Sequence, residues 1–147
     1  MNILGIDYGD KRIGLSYADS QIGVAVPVQA ATEHSFEERL GHILSEIKQR
    51  GVEKLVVGYP LNMDGTLSRK ALDVDAFIEK LRLHFKGEIV RVDERLSSYQ
   101  AESDINSFNS RKTRTVAARK KNRKTGQIDS RASAIFLQEY LDGGEAI

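Results

Sequence analysis

The sequence predicts an α/β domain built on one mixed sheet of five strands that is flanked by helices. Within residues 1–28, three apolar stretches are joined by turns too short to hold a helix, which favours an antiparallel meander. From residue 35 onward, amphipathic helices alternate with apolar strands, the order typical of parallel βαβ connections. With 147 residues, 40% of them hydrophobic, the chain can bury a core without disulfides, so we expect a single domain over residues 1–147.

The first three strands are short and apolar. Residues 3–6 form the first, residues 13–18 alternate apolar and small side chains in the second, and residues 22–28 form the third. A tight connection at 9–11 joins the first two. Because Pro27 has no N–H to donate, we expect the third strand to lie near an edge of the sheet.

The first helix is predicted from its cap and its period. Ser35 and Glu38 have the spacing of a capping box, and apolar residues recur at helical spacing from Phe36 to Ile47, before Gly51. The elements predicted after it are a strand at 54–58, a turn-rich loop at 59–66, a helix with apolar residues from Ala71 to Phe85, a strand at 88–93, a helix at 99–108 and a final helix at 129–141.

The final helix is predicted to follow Ile128 and to begin at Asp129. Its expected end is at Gly143 and Gly144, since glycine commonly follows the last helical residue. The side chains expected to face the core are Ala132, Ile135, Phe136, Tyr140 and Leu141.

Composition excludes several classes of chemistry. The chain contains no cysteine, which excludes a disulfide framework, a thiolate metal site and a thiol nucleophile. No segment approaches the roughly 20 consecutive apolar residues of a membrane span, and the first residues read as a strand without a signal sequence. We therefore expect a cytoplasmic protein.

The net charge of +1 conceals an uneven distribution. Residues 1–104 contain 13 Lys and Arg and 17 Asp and Glu. Residues 105–128, the basic segment, contain 8 Lys and Arg and no Asp or Glu. Such a concentration favours contact with a polyanion, with a solvated loop as the alternative. Because apolar periodicity is lacking here, we expect a basic mobile loop at about 109–127. Its cations are Arg111, Lys112, Arg114, Arg119, Lys120, Lys121, Arg123 and Lys124.

Asp7 interrupts the apolar run of the first strand. A period of two places Ile3, Gly5 and Asp7 on one face, where the neighbouring side chains are too small to cover the carboxylate. A buried carboxylate is costly unless it is paired, hydrogen-bonded or bound to a metal. The partners of Asp7 are therefore the main question that the sequence raises.

Two further acids stand at the ends of predicted elements. Glu94 follows the fifth strand and Asp129 begins the final helix. Carboxylates from separate elements are ligands that Mg²⁺ prefers, and two such ions can promote hydrolysis of a phosphodiester. For each acid alone an ordinary role stays open, because Asp129 could cap its helix and Glu94 could pair with Arg95 or Arg12.

Four blocks of sequence resemble those of the YqgF family of Holliday-junction-resolvase-like proteins, within the ribonuclease H superfamily. The blocks are residues 7–14 (DYGDKRIG), 58–66 (GYPLNMDGT), 93–98 (DERLSS) and 129–141 (DSRASAIFLQEYL). They extend from the first strand to the last helix. The resemblance implies a ribonuclease H-like sheet with three antiparallel strands followed by two parallel ones.

The resemblance also implies an activity. Asp7, Glu94 and Asp129 match the proposed metal-binding carboxylates of the family, which would act as catalytic residues and hold Mg²⁺ or Mn²⁺ in a two-metal site. The implied enzyme is a hydrolase acting on ester bonds that matures the 5′ end of pre-16S rRNA in ribosome biogenesis. The older analogy is a Holliday junction resolvase, a DNA endonuclease.

Substrate contacts are expected beside the acids. Lys11, Arg12 and Arg95 are candidates to position phosphates, and Ser98 stands where the family commonly has threonine. The expected partner is nucleic acid, with RNA favoured over branched DNA, and the expected state is a monomer or a weak homodimer. Symmetric junction cleavage needs two active sites and therefore a dimer.

Two other classes of function remain open. The motif Asp-x-Gly on a first strand also begins the phosphate-binding site of actin-like and sugar-kinase ATPases, which need two such domains. The other class is a non-catalytic RNA-binding protein that uses the basic segment alone.

Overall fold

The computed structural model describes residues 1–94 and 126–147. In this part of the chain the strands are β1 (Asn2–Asp7), β2 (Ile13–Asp19), β3 (Val24–Ala31), β4 (Lys54–Tyr59) and β5 (Glu88–Asp93), and the helices are α1 (Phe36–Arg50), α2 (Arg69–Arg82) and α3 (Gln127–Leu141). The helix predicted at 99–108 lies outside the described residues, as does most of the basic segment.

The strands form one mixed sheet in the order β3-β2-β1-β4-β5. β1 pairs antiparallel with β2, and β2 with β3, while β1 pairs parallel with β4, and β4 with β5. The predicted sheet of three antiparallel and two parallel strands is confirmed. Pro27 lies in the edge strand β3, where a missing N–H costs the sheet least.

Side-chain caps fix where the first two helices begin. The Oγ atom of Ser35 accepts a hydrogen bond from the Glu38 N–H at 3.1 Å and its hydroxyl donates to Glu38 Oε1 at 3.0 Å, which confirms Ser35 as the N-cap of α1 and its pairing with Glu38. Gly51, with a φ of 59°, ends α1. At α2 the Oγ atom of Ser68 accepts from the Ala71 N–H.

The two faces of the sheet carry different layers. On one face, Leu4 and Ile6 of β1 pack with residues of α1 and α2 such as Ile43 and Phe77 in the larger core. On the other face, β1 presents Ile3, Gly5 and Asp7 toward α3, as the period of two predicts. Asp7 therefore lies on the face that α3 covers in the described part of the chain.

The third strand, which ends at Ala31, and the last helix have boundaries that differ from those predicted. The third strand begins at Val24 because the Asp19 carbonyl accepts hydrogen bonds from the N–H groups of Ile22 and Gly23, which forms a turn. The last helix begins at Gln127, two residues before the predicted start at Asp129. Along that helix Leu137 is fully buried although the pattern did not place it in the core, whereas Ile135, Tyr140 and Leu141 are only half-buried.

Small residues bring α3 close to the central strands. A Cβ atom added to Gly14 of β2 would lie 2.2 Å from the backbone carbonyl of Asp129. The hydroxyls of Ser16 and Ser133 hydrogen-bond at 2.7 Å, and the Leu15 N–H donates to the Ser130 Oγ atom at 3.2 Å. These contacts fix the first turn of α3 over β2.

None of the helices in the described part of the chain is long and apolar enough to cross a membrane.

Gly14→Ala is expected to destabilise the fold by about 1–3 kcal/mol, because the added methyl group overlaps the backbone of α3. Gly41→Ala is the matched control. An added Cβ at Gly41 would meet nothing within 4 Å, so this helical substitution should stabilise by about 0.5–1 kcal/mol. Urea unfolding followed by circular dichroism measures both; equal effects would contradict the close approach of α3.

Candidate active site

Asp7 is the best-buried acid of the site. It ends the central strand β1, pairs across the sheet with Gly14, and is 5% exposed. Burial raises the pKa of Asp7 well above its usual value, and the charge and hydrogen bond of the adjacent Glu94 raise it further. Asp129 also raises this pKa, whereas the Lys70 ammonium lowers it. All three predicted acids are thus electrostatically coupled at one place.

Glu94 reaches Asp7 from the end of β5 and crosses β4 at Gly58, the glycine of that strand. Its N–H donates to the Tyr59 carbonyl at 3.4 Å, which keeps the chain beside β4. A Cβ atom on Gly58 of β4 would lie 2.8 Å from the Glu94 Oε2 atom and 2.7 Å from Phe136. Gly58 therefore provides the space in which the Glu94 carboxylate lies.

Asp129 enters the site from the first turn of α3. The N-cap of this helix is Gly126, with a φ of 74°, so the alternative in which Asp129 caps the helix is wrong. A carboxylate in the first helical turn is favoured by the helix dipole. The Asp129 Oδ2 atom lies 3.3 Å from the Nε atom of Arg12, so Arg12 partly neutralises the third acid.

The chemistry of these acids fits a hard divalent cation, although a formed metal site is not present. Within residues 1–94 and 126–147, no three His, Asp or Glu side chains are arranged so as to hold an ion. Asp7 and Glu94 hydrogen-bond to each other, while Asp129 is paired with Arg12. The donors are all carboxylate oxygens, and their mutual repulsion at a buried position favours added positive charge.

The cations around the acids include one that the sequence did not reveal. Lys70 lies in the first turn of α2, two residues after the Ser68 cap, and its charge acts on Asp7. The signal was topological, because a helix that follows β4 begins at the same sheet edge where β1 and β5 end. A lysine in an amphipathic helix pattern does not by itself show that its side chain lies near Asp7.

The remaining predicted contacts are only partly described. Lys11 is exposed in the turn between β1 and β2, and Arg12 is half-buried beside Asp129. The residues outside the described part of the chain are Arg95, Ser98, Arg111, Lys112, Arg114, Arg119, Lys120, Lys121, Arg123 and Lys124.

The loop between β4 and α2 has a defined structure beside the acids. Leu61 and Leu67 form an antiparallel bridge, and Asp64 accepts hydrogen bonds from the N–H and hydroxyl of Thr66. The hydroxyl of Ser68 donates to the Pro60 carbonyl, which connects this loop to the start of α2. The loop therefore holds the first turn of α2, which carries Lys70, at this edge.

Asp7→Asn is expected to stabilise the metal-free protein at neutral pH by on the order of 1–3 kcal/mol. Between the ordinary Asp pKa and the raised pKa of Asp7, the unfolded chain has lost a proton that the folded chain keeps. Stability therefore falls as pH rises through this window.

Thermal unfolding from pH 4 to pH 8 tests this expectation. The Asp7→Asn protein should lose less stability than wild type as pH rises, because it lacks the contribution that ionisation of Asp7 makes. The control is Glu79→Gln, a change at a side chain 76% exposed, which should alter stability by less than about 0.5 kcal/mol. If the Asp7→Asn protein were less stable than wild type at pH 7, this would contradict the claim that burial makes ionisation of Asp7 costly.

The chain is similar in sequence to known proteins over nearly its whole length. A family model described as "RuvX: Holliday junction resolvase" matches residues 1–143. A protein of Opitutus terrae named "Putative pre-16S rRNA nuclease" is 45% identical over 143 residues, which cover 97% of this chain and 92% of the relative. A protein of the same name from Anaeromyxobacter sp. is 35% identical over 148 residues, covering 99% of this chain and 100% of the relative.

Solved structures of junction resolvases share the fold. The T. thermophilus RuvC in complex with Holliday junction substrate has a TM-score of 0.56 at 14% identity, covering 100% of this chain and 99% of the other. The Fowlpox virus resolvase with Holliday junction DNA has a TM-score of 0.55 at 11% identity, covering 97% of each chain. The chain therefore belongs to the RuvX/YqgF family and has a RuvC-like, ribonuclease H-like fold.

Proposed function

We propose that this chain is a divalent-metal-dependent nuclease that hydrolyses phosphodiester bonds at the 5′ end of pre-16S rRNA, in the cytoplasm. The observation that supports this most strongly is the buried Asp7 carboxylate, whose pKa is raised by burial and by the adjacent Glu94. A site that concentrates acids at a buried position suits a cation-dependent reaction on a polyanion. The relatives named for pre-16S rRNA nuclease activity cover nearly the whole chain.

Asp7, Glu94 and Asp129 would hold Mg²⁺ or Mn²⁺. Bound at this place, two such ions would supply an activated water and stabilise the leaving oxygen of the phosphodiester. Asp7 contributes a fixed position, because β1 is hydrogen-bonded to a strand on each side. Glu94 and Asp129 contribute oxygens from β5 and α3, which approach β1 from different directions.

The cations of the chain would bind the phosphates that flank the reacting bond. Arg12 and Lys70 lie nearest the acids in the described residues, since Arg12 pairs with Asp129 and Lys70 acts on Asp7. We assign the same role to Lys11, Arg95 and Ser98, and a more distant contact with the RNA backbone to the basic segment. Such contacts supply affinity without selecting a sequence.

Holliday junction cleavage is the second candidate, because the family description and the fold comparisons both name junction resolvases. It requires a dimer, and the edge of β3 does not favour one formed by strand pairing. The Gln138 side chain accepts from the Ala25 N–H at 2.9 Å and donates to the Gly23 carbonyl at 3.0 Å. With Pro27 offering no donor, pairing of another strand is disfavoured at this end of β3, and we propose a monomer or weak homodimer acting on RNA.

A cleavage assay with Mg²⁺ or Mn²⁺ tests the proposal. A pre-16S 5′ fragment and a four-way DNA junction serve as parallel substrates. The wild type should cut the RNA, and Asp7→Asn, Glu94→Gln and Asp129→Asn should each lower kcat by at least about 100-fold, since each removes a carboxylate from the cation site. Glu79→Gln is the matched control and should cut like the wild type.

Each contrary result of this assay identifies an alternative. Cleavage of the junction alone would favour a resolvase. Binding of RNA without cleavage would favour the non-catalytic RNA-binding protein, and tight binding of ATP would favour the ATPase class. Equal cleavage by wild type and Asp7→Asn would contradict the role of the three acids.

A further inference from the structure

Arg12 contacts one of the three candidate acids. Its Nε atom lies 3.3 Å from the Oδ2 atom of Asp129. Asp7 and Glu94 instead hydrogen-bond to each other, and within residues 1–94 and 126–147 no three acidic or histidine side chains are arranged so as to hold an ion. The Arg12 guanidinium therefore gives Asp129 the positive charge that a bound cation would otherwise give it.

The main chains that carry Arg12 and Asp129 are closely packed. A Cβ atom added to Gly14 would lie 2.2 Å from the Asp129 carbonyl, and one added to Gly9 would lie 2.5 Å from the Arg12 carbonyl oxygen. The backbone at both residues is thus held against neighbouring backbone. A change of partner at Asp129 therefore needs rotation of the two side chains, without movement of α3 or of the turn before β2.

The ion pair is weak enough to exchange. The side chains of Arg12 and Asp129 are 37% and 28% exposed, so water screens their attraction. A pair exposed to this degree changes an equilibrium constant by about fivefold or less. A divalent cation carries twice the charge of a guanidinium and is bound directly by carboxylate oxygens. Asp129 would therefore exchange Arg12 for a cation that Asp7 and Glu94 also bind.

The released Arg12 side chain suits a phosphate. A guanidinium presents a planar fork of N–H donors that matches two phosphate oxygens. Arg12 lies in the turn between β1 and β2, directly beside the acids. In the part of the chain that the structure describes, Asp129 is the one carboxylate within 4.0 Å of this guanidinium. Once Asp129 turns to a cation, no second acid among these residues holds Arg12 back from the substrate.

We propose that Arg12 exchanges Asp129 for a phosphate of the nucleic acid when the three acids bind a cation. Without a cation, Arg12 neutralises Asp129; with one, it binds the phosphate next to the reacting bond. The proposal rests on the proposed nuclease function, because it couples cation binding to substrate contact. Loss of Arg12 should therefore tighten cation binding and weaken RNA binding, whereas an ion pair that only fixes α3 would do neither.

Titration of the RNA-free protein with Mn²⁺, followed by the electron paramagnetic resonance signal of unbound Mn²⁺, tests the first effect. Arg12→Met should bind Mn²⁺ about three- to tenfold more tightly than wild type, because Asp129 has lost a competing cation. Arg12→Lys, which keeps the charge, should stay within about twofold of wild type.

Lys11→Met is the matched control, since it removes one charge from the same turn. Lys11 is exposed and forms no ion pair with the described residues, so this change should alter Mn²⁺ affinity by less than about twofold. Circular dichroism checks that each variant is folded.

Binding of a single-stranded pre-16S 5′ fragment, measured by fluorescence anisotropy in EDTA and in Ca²⁺, tests the second effect. In Ca²⁺, Arg12→Met should bind the RNA about tenfold more weakly than wild type, because a phosphate contact is lost. In EDTA the loss should be less than about threefold, since Asp129 then holds the guanidinium of the wild type.

Two outcomes would overturn this proposal. They are Mn²⁺ binding by Arg12→Met no tighter than that of wild type, and a loss of RNA affinity that is the same in EDTA and in Ca²⁺. Either result with a wild type that binds Mn²⁺ and cuts RNA would contradict the exchange alone. Both expected effects in a protein that cuts no RNA would contradict only the nuclease, and a wild type that binds no Mn²⁺ would contradict both.

Discussion

The cost of burying the Asp7 carboxylate is the constraint on which the rest of the site depends. At 5% exposure next to a second carboxylate, Asp7 can ionise only against desolvation and repulsion, which is why its pKa is raised. The fold accepts this cost at the centre of its sheet, where β1 is fixed on both sides. Under the proposed function, a divalent cation would reverse the sign of the local electrostatics and make an ionised carboxylate favourable there.

The approach of α3 makes this arrangement possible. Gly14 and Gly58 remove the side chains that would separate Asp7 from Asp129 and Glu94, and the hydroxyl pair of Ser16 and Ser133 fixes the helix against β2. These small residues are spread over more than 100 positions of the sequence. They act together only because the sheet order places β2, β1 and β4 side by side.

Local patterns were sufficient to predict most of the fold. The alternation around Asp7 predicted its face correctly, and the capping box at Ser35 predicted the start of α1, because both signals involve neighbours along one element. The start of α3 and the burial of Leu137 were missed because contacts with strands far away in sequence determine them. The N-cap role considered for Asp129 failed because Gly126 takes that position.

Less of the site than of the fold could be predicted from the sequence. Lys70 has no local signature, since it is a charged residue in an amphipathic helix, and only the tertiary structure brings it to Asp7. The central claim is that Asp7, Glu94 and Asp129 together bind a cation. Anomalous diffraction from crystals soaked in Mn²⁺ tests it most directly: we predict manganese peaks contacted by all three carboxylates, and their absence at saturating Mn²⁺, or peaks that Asp7 does not contact, would contradict the account.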